Sequence, residues 1–408
     1  MAERLTYRLL LRLDGMLQLV LAACLSRLAS RMFGLVIILY VLQRFDSPVL
    51  AGWVVFAAMA PGLAVSPLAG ALLDRMGAAK AIVIDMAVSA GLLLGLAIAD
   101  MASAVTAPLL LAFVAIFSLT TPLGTAGVRV LIPRLVPKEA LDRANALDTS
   151  SYSLIGVTGP AVAGVLFGFA GSQATLLVLV FLYIAAAISL GPLVRRTSTG
   201  QAGPSGSLVR GAWAGVLYVL RNASLRSLAI SYALYQVSWG ILVVVVPVMV
   251  MREFGAGAAA DSVVGVLWAA AGLACGLGAL YAGHHSTVGR ERQFIAIGTL
   301  ATAVALWPVS ASFGLVGLAI GLILAGLLEG PIDVGVLSLR QRRTDPDWLG
   351  RVLAVSMSFN TSGLPLGSVI GGIVVVHSPA LAFGLAAVAS VLAAAAAHFL
   401  IPKGPDVR

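Results

Sequence analysis

Apolar residues in this chain gather in long unbroken runs, and the polar residues collect between them. About 20 apolar residues at 1.5 Å each cross the hydrocarbon core of a bilayer, so such runs predict membrane helices. Spans are predicted near 16–42, 50–71, 80–99, 105–128, 145–170, 173–194, 225–250, 261–282, 293–310, 313–337, 351–376 and 380–401. Most connections are short, which sets neighbouring helices antiparallel. The exception is 195–210, RRTSTGQAGPSGSLVR, whose Gly, Ser and Arg content reads as a linker. It divides the chain into an N-terminal six-helix bundle at 1–194, a linker region at 195–224 and a C-terminal six-helix bundle at 225–408. Val209 to Leu220 is too short to span and carries Trp213 and Tyr218. It is expected to lie along the inner membrane surface as an amphipathic helix, with a buried core helix as the alternative. The first apolar run continues to Val41, beyond the 7–15 residues or so of a signal h-region, so it is expected to stay as a span.

Composition agrees with the pattern. Of 408 residues 60% are hydrophobic and 11% charged, where a water-soluble surface needs about 25%. The mean hydropathy is +1.02. A net charge of +9 would suggest nucleic acid in a soluble chain. No soluble segment here interleaves basic and aromatic residues over a large enough surface, so a nucleic-acid partner is not expected. The charge instead sorts by topology. With the N-terminus inside, the outer loops receive only Arg44 and Arg252, while Arg27 and Arg31 fall within a span. Such lopsidedness is what the positive-inside rule predicts for an even number of spans in a multi-pass protein of the cytoplasmic (inner) membrane, with both termini cytoplasmic. Cys24 and Cys275 both lie in apolar segments, so no disulfide framework is implied.

Ionisable groups inside a membrane cost roughly 2.5–3.5 kcal/mol on insertion scales and therefore point to function. Arg27 and Arg31 lie one turn apart on one helix face. They suit an anionic substrate group, a proton-accepting carboxylate, or a structural ion pair. Glu329 and Asp333 flank Pro331 four residues apart, as partners for that pair or for each other's proton. Two carboxylates together and out of water are candidates for proton uptake and release, Glu329 first. Asp333, nearer the inner mouth, is expected to orient the following loop. Asp85 and Asp148 sit just inside spans 3 and 5. Structural pairing with Arg129, Arg134 or Arg143 is the favoured reading, with Asp85 kept as a further proton candidate. Tyr232, Tyr235, Gln236 and Trp239 recur at helical spacing in span 7, an aromatic and polar stripe that suits bulky apolar or cationic solutes. Interhelical packing is the alternative. Trp53, Tyr152 and Asn360 are companion candidates. The four histidines show no metal-ligand spacing, and GPSGS lacks the Lys and spacing of a phosphate loop. No metal, cofactor or ATP is expected.

Between spans 2 and 3, Gly70-Ala-Leu-Leu-Asp74-Arg75-Met-Gly77-Ala-Ala-Lys80 resembles the loop signature of the major facilitator superfamily, with Ala78 and Ala79 at two usually basic positions. A decayed copy follows span 8, Gly278-Ala-Leu-Tyr-Ala-Gly283-His284-His285-Ser-Thr-Val-Gly289-Arg290-Glu291-Arg292. It lacks the aspartate, so a charge lock is expected in the first half. Ile132-Pro133-Arg134, Val136-Pro137, Arg143-Ala-Asn145-Ala146-Leu147, Tyr218-Val-Leu-Arg221-Asn222 and Asp347-Trp-Leu-Gly350-Arg351 resemble the macrolide and siderophore exporters of that superfamily. Gly159-Pro160-Ala-Val-Ala163-Gly164 is similar to its antiporter motif, with Ala163 in place of a glycine. Span 4 departs from the pattern, lacking the membrane arginine of many drug–proton antiporters. The resemblance implies an all-α membrane protein of twelve helices in two pseudo-symmetric six-helix bundles. It implies alternating access and proton-coupled antiport that exports small amphipathic molecules, drugs or metabolites, with protons, a small-molecule substrate and the lipid bilayer as partners. A monomer with no enzymatic role is expected. An importer or uniporter of a small nutrient, and a lipid translocase, are the alternatives.

Overall fold

The computed structural model describes residues 7–137, 140–197, 208–284, 290–306, 314–344 and 349–403. Among the described residues there is no strand. In hydrocarbon every backbone N–H and C=O must be paired within its own segment, and a helix does this without an edge. The elements are α1 (Tyr7–Leu10), α2 (Met16–Phe45), α3 (Pro48–Met76), α4 (Ala78–Met101), α5 (Ala107–Leu135), α6 (Leu141–Thr197) and α7 (Leu208–Arg221). They continue as α8 (Ala223–Phe254), α9 (Ala258–His284), α10 (Glu291–Leu306), α11 (Gly314–Arg342), α12 (Leu349–Thr361), α13 (Gly363–His377) and α14 (Pro379–Leu400).

Ten stretches among the described residues are long and apolar enough to cross a bilayer. One of them, Ser150–Val194, is twice the needed length. Gly171, at φ 78° and ψ 177°, breaks α6 into two spans there, at a backbone angle that L side chains rarely adopt. With α10 as a further membrane helix the set is the expected twelve. Most of the linker, 198–207, lies outside the described residues, as do 285–289 of the decayed copy and 345–348 of the Asp347 segment.

By packing, the chain divides into two units. One comprises Met1–Val36 and Pro61–Val209, the other Ile37–Ala60 and Arg210–Arg408. The hairpin 37–60 thus groups with the second half of the chain, which a division at the linker does not anticipate. Gln43 on this hairpin donates to Asp261 on α9 at 2.7 Å, and Ser368 on α13 donates to the Gly52 carbonyl at 3.0 Å.

In the first unit α4 packs against α5 and α6. In the second, α8 is the central helix, against α13 and α14, while α9 lies along α11. Small residues allow these approaches, since helices in lipid associate by close van der Waals contact. Gly363 and Gly367 of α13 are among the tightest points. A Cβ on either would stand 1.8 and 2.1 Å from the carbonyl oxygens of Ala233 and Val237 on α8. The helix expected after the linker forms as α7 and is two-faced. Trp213 is exposed, while Val219 is fully buried against Leu225 and Val352.

Candidate transport sites within each unit

In the first unit, α2 carries Arg27 and Arg31 on one face, and α6 supplies their partners. Arg27 Nη2 pairs with Asp148 Oδ1 at 2.7 Å, with both side chains more than four-fifths buried. Its Nη1 also donates to Ser151 Oγ at 3.1 Å and to the Asp148 carbonyl at 3.3 Å. Arg31 Nη2 donates to the Tyr152 hydroxyl. The Tyr152 ring collects both cations, its centroid lying 4.8 Å from the Arg31 guanidinium carbon and 5.5 Å from that of Arg27. Gly159 sets this spacing, since a Cβ there would stand 2.6 Å from Arg31 Cβ. That gives the glycine of the antiporter-like segment a physical task. Pro160 follows it inside α6, and Gly164 is buried one turn on.

Asp148 therefore takes Arg27, a residue of the membrane interior, where Arg129, Arg134 or Arg143 was expected; the Arg143 side chain lies outside the described residues. Asp85 departs from that expectation too. It is buried on α4, hydrogen-bonded by Thr120 of α5. Its Oδ1 has no hydrogen-bond partner among the described residues. Its Oδ2 occupies the space that a Cβ on Gly124 would need, 2.2 Å away. Tyr183, on the second half of α6, reaches Ser30 and Ser89. The physical reason for the correction is depth. Asp85 lies two turns into α4, among hydroxyl-bearing side chains, and not at the basic inner rim.

In the second unit the span 7 stripe is real and buried. Tyr232, Tyr235, Gln236 and Trp239 all face inward from α8. Their rings form a ladder, Tyr232 to Tyr235 at 5.9 Å and Tyr235 to Trp239 at 6.5 Å. It continues to Trp268 of α9 at 6.1 Å. The Tyr235 hydroxyl is buried near Thr302 and Trp239 but completes no hydrogen bond among the described residues. Tyr232 donates its hydroxyl to Asp333 of α11, so the aromatic stripe and the predicted carboxylates form one cluster. Glu329, half-buried one turn earlier, acts electrostatically on Tyr232 and Tyr235.

Arg340 completes the cluster. Its position near the end of α11 suggests a loop cation, yet it is 3% exposed. It faces Asp333 electrostatically and sits against the Asn360 side-chain oxygen, while the Asn360 amide nitrogen donates to the Ser356 carbonyl at 3.1 Å. Arg340 is two turns from Asp333, and the 3.6-residue period puts both on one face of α11. That spacing was available in the sequence. Trp268 carried no comparable signal.

Gly77 takes φ +84° between α3 and α4, a backbone conformation that favours glycine, and Lys80 is exposed. The side chains of Gly70, Asp74 and Arg75 lie outside the described residues. Glu291 of the decayed copy pairs with Arg342 at the end of α11, so the second half carries an ion pair at this place without the aspartate.

An all-helical membrane protein of twelve spans, with a polar cluster in each of two units, has the construction of a carrier for small solutes. The chain belongs to the Major Facilitator Superfamily, whose family model matches residues 19–225 and 228–408; it is a secondary transporter. Along its whole length it is 48% identical over 407 residues to an uncharacterized MFS-type transporter, y4rN, of Sinorhizobium fredii, covering all of both chains. It is 22% identical over 356 residues to macrolide efflux protein A of Streptococcus pyogenes, spanning 85% of this chain and 86% of that protein. Among solved structures, a bacterial homologue of the iron transporter ferroportin in an inward-facing state superposes with a TM-score of 0.73. It is 17% identical and covers 95% of this chain and 98% of that one. The nucleoside transporter NupG gives a TM-score of 0.71 at 15% identity, covering 95% and 99%. At these identities the two structures carry the fold alone.

Proposed function

We propose that this transporter exports small amphipathic molecules by proton-coupled antiport. The observation that carries the reading is the joining of the aromatic ladder on α8 to the acidic pair on α11 through Tyr232 and Asp333. Rings of this kind hold apolar solutes of varied shape, because their contact is broad and weakly directional. A carboxylate bonded to the same ladder senses whether the ladder is occupied. Proton uptake at Glu329, with Asp333 beside it, then biases the exchange between inward-open and outward-open states. Direction rests on the likeness to macrolide efflux protein A, which extends over most of both chains. Orientation follows the basic residues, with both termini on the cytoplasmic side of the inner membrane.

Everted membrane vesicles test this. Respiration acidifies their lumen, and a pH-sensitive dye reports the gradient. A proton-coupled exporter takes added substrate inward and releases protons outward, so dye fluorescence recovers. In a panel of acidic, neutral and basic amphiphiles, at least one compound should collapse the gradient faster than in vesicles lacking the protein. Uptake with no proton movement would contradict coupling. Accumulation only in right-side-out vesicles would make the protein an importer.

A further inference from the structure

We propose that Arg31 binds an acidic group on the transported molecule, so that the substrate is an amphipathic anion; this rests on the reading of the protein as a transporter of amphipathic solutes and deepens it. The argument is one of charge balance within the first unit. Arg27 and Arg31 share a face of α2, but only one carboxylate meets them, and it goes to Arg27. Among the described residues no carboxylate pairs with Arg31. Its hydrogen-bond partner is a neutral phenol, Tyr152. A guanidinium has five N–H donors in a planar fork, so most of them make no hydrogen bond among the described residues.

Position makes this significant. Arg31 is the sixteenth residue of the 30-residue helix α2, roughly 22 Å along it at 1.5 Å per residue and so close to mid-membrane. Its side chain is nonetheless exposed. A cation facing hydrocarbon at that depth is unfavourable, so the open side of Arg31 faces a polar space. A guanidinium held by Tyr152 and bordering such a space is an anion-binding group. Its fork matches a carboxylate, sulfonate or phosphate through two parallel hydrogen bonds.

Tyr152 adds the second half of the specificity. Tyr152 is 46% exposed, and its ring lies beside the guanidinium, offering a flat apolar surface next to the charge. Gly159 holds the two helices close enough for that arrangement. The pair therefore suits a molecule in which an acidic group adjoins an apolar or aromatic body. Asp148 does not offer a competing site for a basic solute, because Arg27 neutralises it. Asp333, in the other unit, is engaged by Tyr232 and faces Arg340.

Binding to the purified protein in lipid nanodiscs tests this, read as the rise in unfolding temperature. The probes are 2-naphthylacetate, its methyl ester and a matched naphthyl trimethylammonium. Inorganic phosphate and chloride at equal ionic strength supply the simple anions. The acid should stabilise the wild type, and the ester and the ammonium should not. Arg31→Gln should weaken the acid's effect by roughly tenfold or more, and Arg31→Lys, which keeps the charge but loses the fork, by less. The unliganded unfolding temperature of each variant shows that it is folded. No stabilisation by the acid, equal stabilisation by ester and acid, or an unchanged effect in Arg31→Gln would overturn the proposal. So would an equal effect of phosphate or chloride, which would make Arg31 a simple anion site. Acid binding at Arg31 without gradient-driven movement in proteoliposomes would leave this inference standing and remove proton-coupled export. Export of the ester or the ammonium alone would do the reverse.

Discussion

Replacing Gly363 by alanine puts a methyl carbon 1.8 Å from the Ala233 carbonyl oxygen, 2.8 Å from its carbonyl carbon and 3.0 Å from the Val237 amide nitrogen. All three are backbone atoms of α8, so no side chain can swing aside. Ordinary contact begins at 3.4 Å, so the two helices must part by about 1.5 Å, a separation at which much of the dispersion attraction between the facing atoms is lost. Overpacking of this kind costs about 1–3 kcal/mol, and the rigidity of the obstacle favours the upper part of that range. For a chain unit of about 200 residues that corresponds to a fall of about 4–10 °C in unfolding temperature. The damage should extend to the site. Ala233 adjoins Tyr232, and Gly363 follows Asn360 by three residues, so parting α8 from α13 displaces the aromatic ladder from the Asn360–Arg340 contact. Tryptophan fluorescence during heating is the assay, since Trp239 and Trp268 both belong to this unit. The control is Gly276→Ala on α9, where a Cβ meets nothing within 4 Å. That substitution should be neutral or stabilise by up to about 1 kcal/mol, because glycine is the poorer helix former. Equal shifts for the two variants would refute the close-approach argument.

Other predictions follow from single contacts. Gly124→Ala should destabilise by about 1–3 kcal/mol through collision with Asp85 Oδ2, and adding Asp85→Ala should recover much of the loss, because it removes the colliding atom; additive thermal shifts would contradict this. Asp148→Asn should cost about 1–3 kcal/mol, below the full value for a buried pair because both side chains retain some exposure. Arg27→Asp combined with Asp148→Arg should restore part of it in the same melting experiment. Glu291→Gln should cost less than about 1 kcal/mol, because Arg342 is 42% exposed and water screens the pair. Tyr232→Phe should leave the melting temperature within a few degrees yet lower gradient-driven transport in vesicles roughly tenfold, because the hydroxyl is the link between ladder and carboxylate.

How much of this was legible in the sequence depends on the range of the interaction. Hydropathy along a single run places each span, and Gly171 falls in the short gap expected between the fifth and sixth. The aromatic stripe on α8 and the acidic pair on α11 were each visible because helical periodicity is local. Which stripe meets which was not. Arg27 and Asp148 lie 121 residues apart, and nothing in either segment distinguishes Asp148 from Asp85 as the arginine's partner. Charge counting places Arg340 with the basic inner loops, because it ignores which way a helix end is turned. Read by its spacing from Asp333, it belonged to the site. The Glu291–Arg342 pair is not legible in the repeat, because the copy lacks the aspartate and the packing of α10 on α11 places a carboxylate at another position.

The assignment of proton coupling to α11 is tested most directly by comparing two activities of Glu329→Gln in proteoliposomes. Exchange of labelled for unlabelled substrate, without a gradient, needs only alternation of the loaded carrier. Uphill accumulation driven by a pH difference needs the proton site as well. Glutamine mimics the protonated carboxyl, so exchange should remain within about twofold of wild type while uphill accumulation falls roughly tenfold or more. Uphill accumulation at the wild-type level would contradict the account and take the proton away from Glu329.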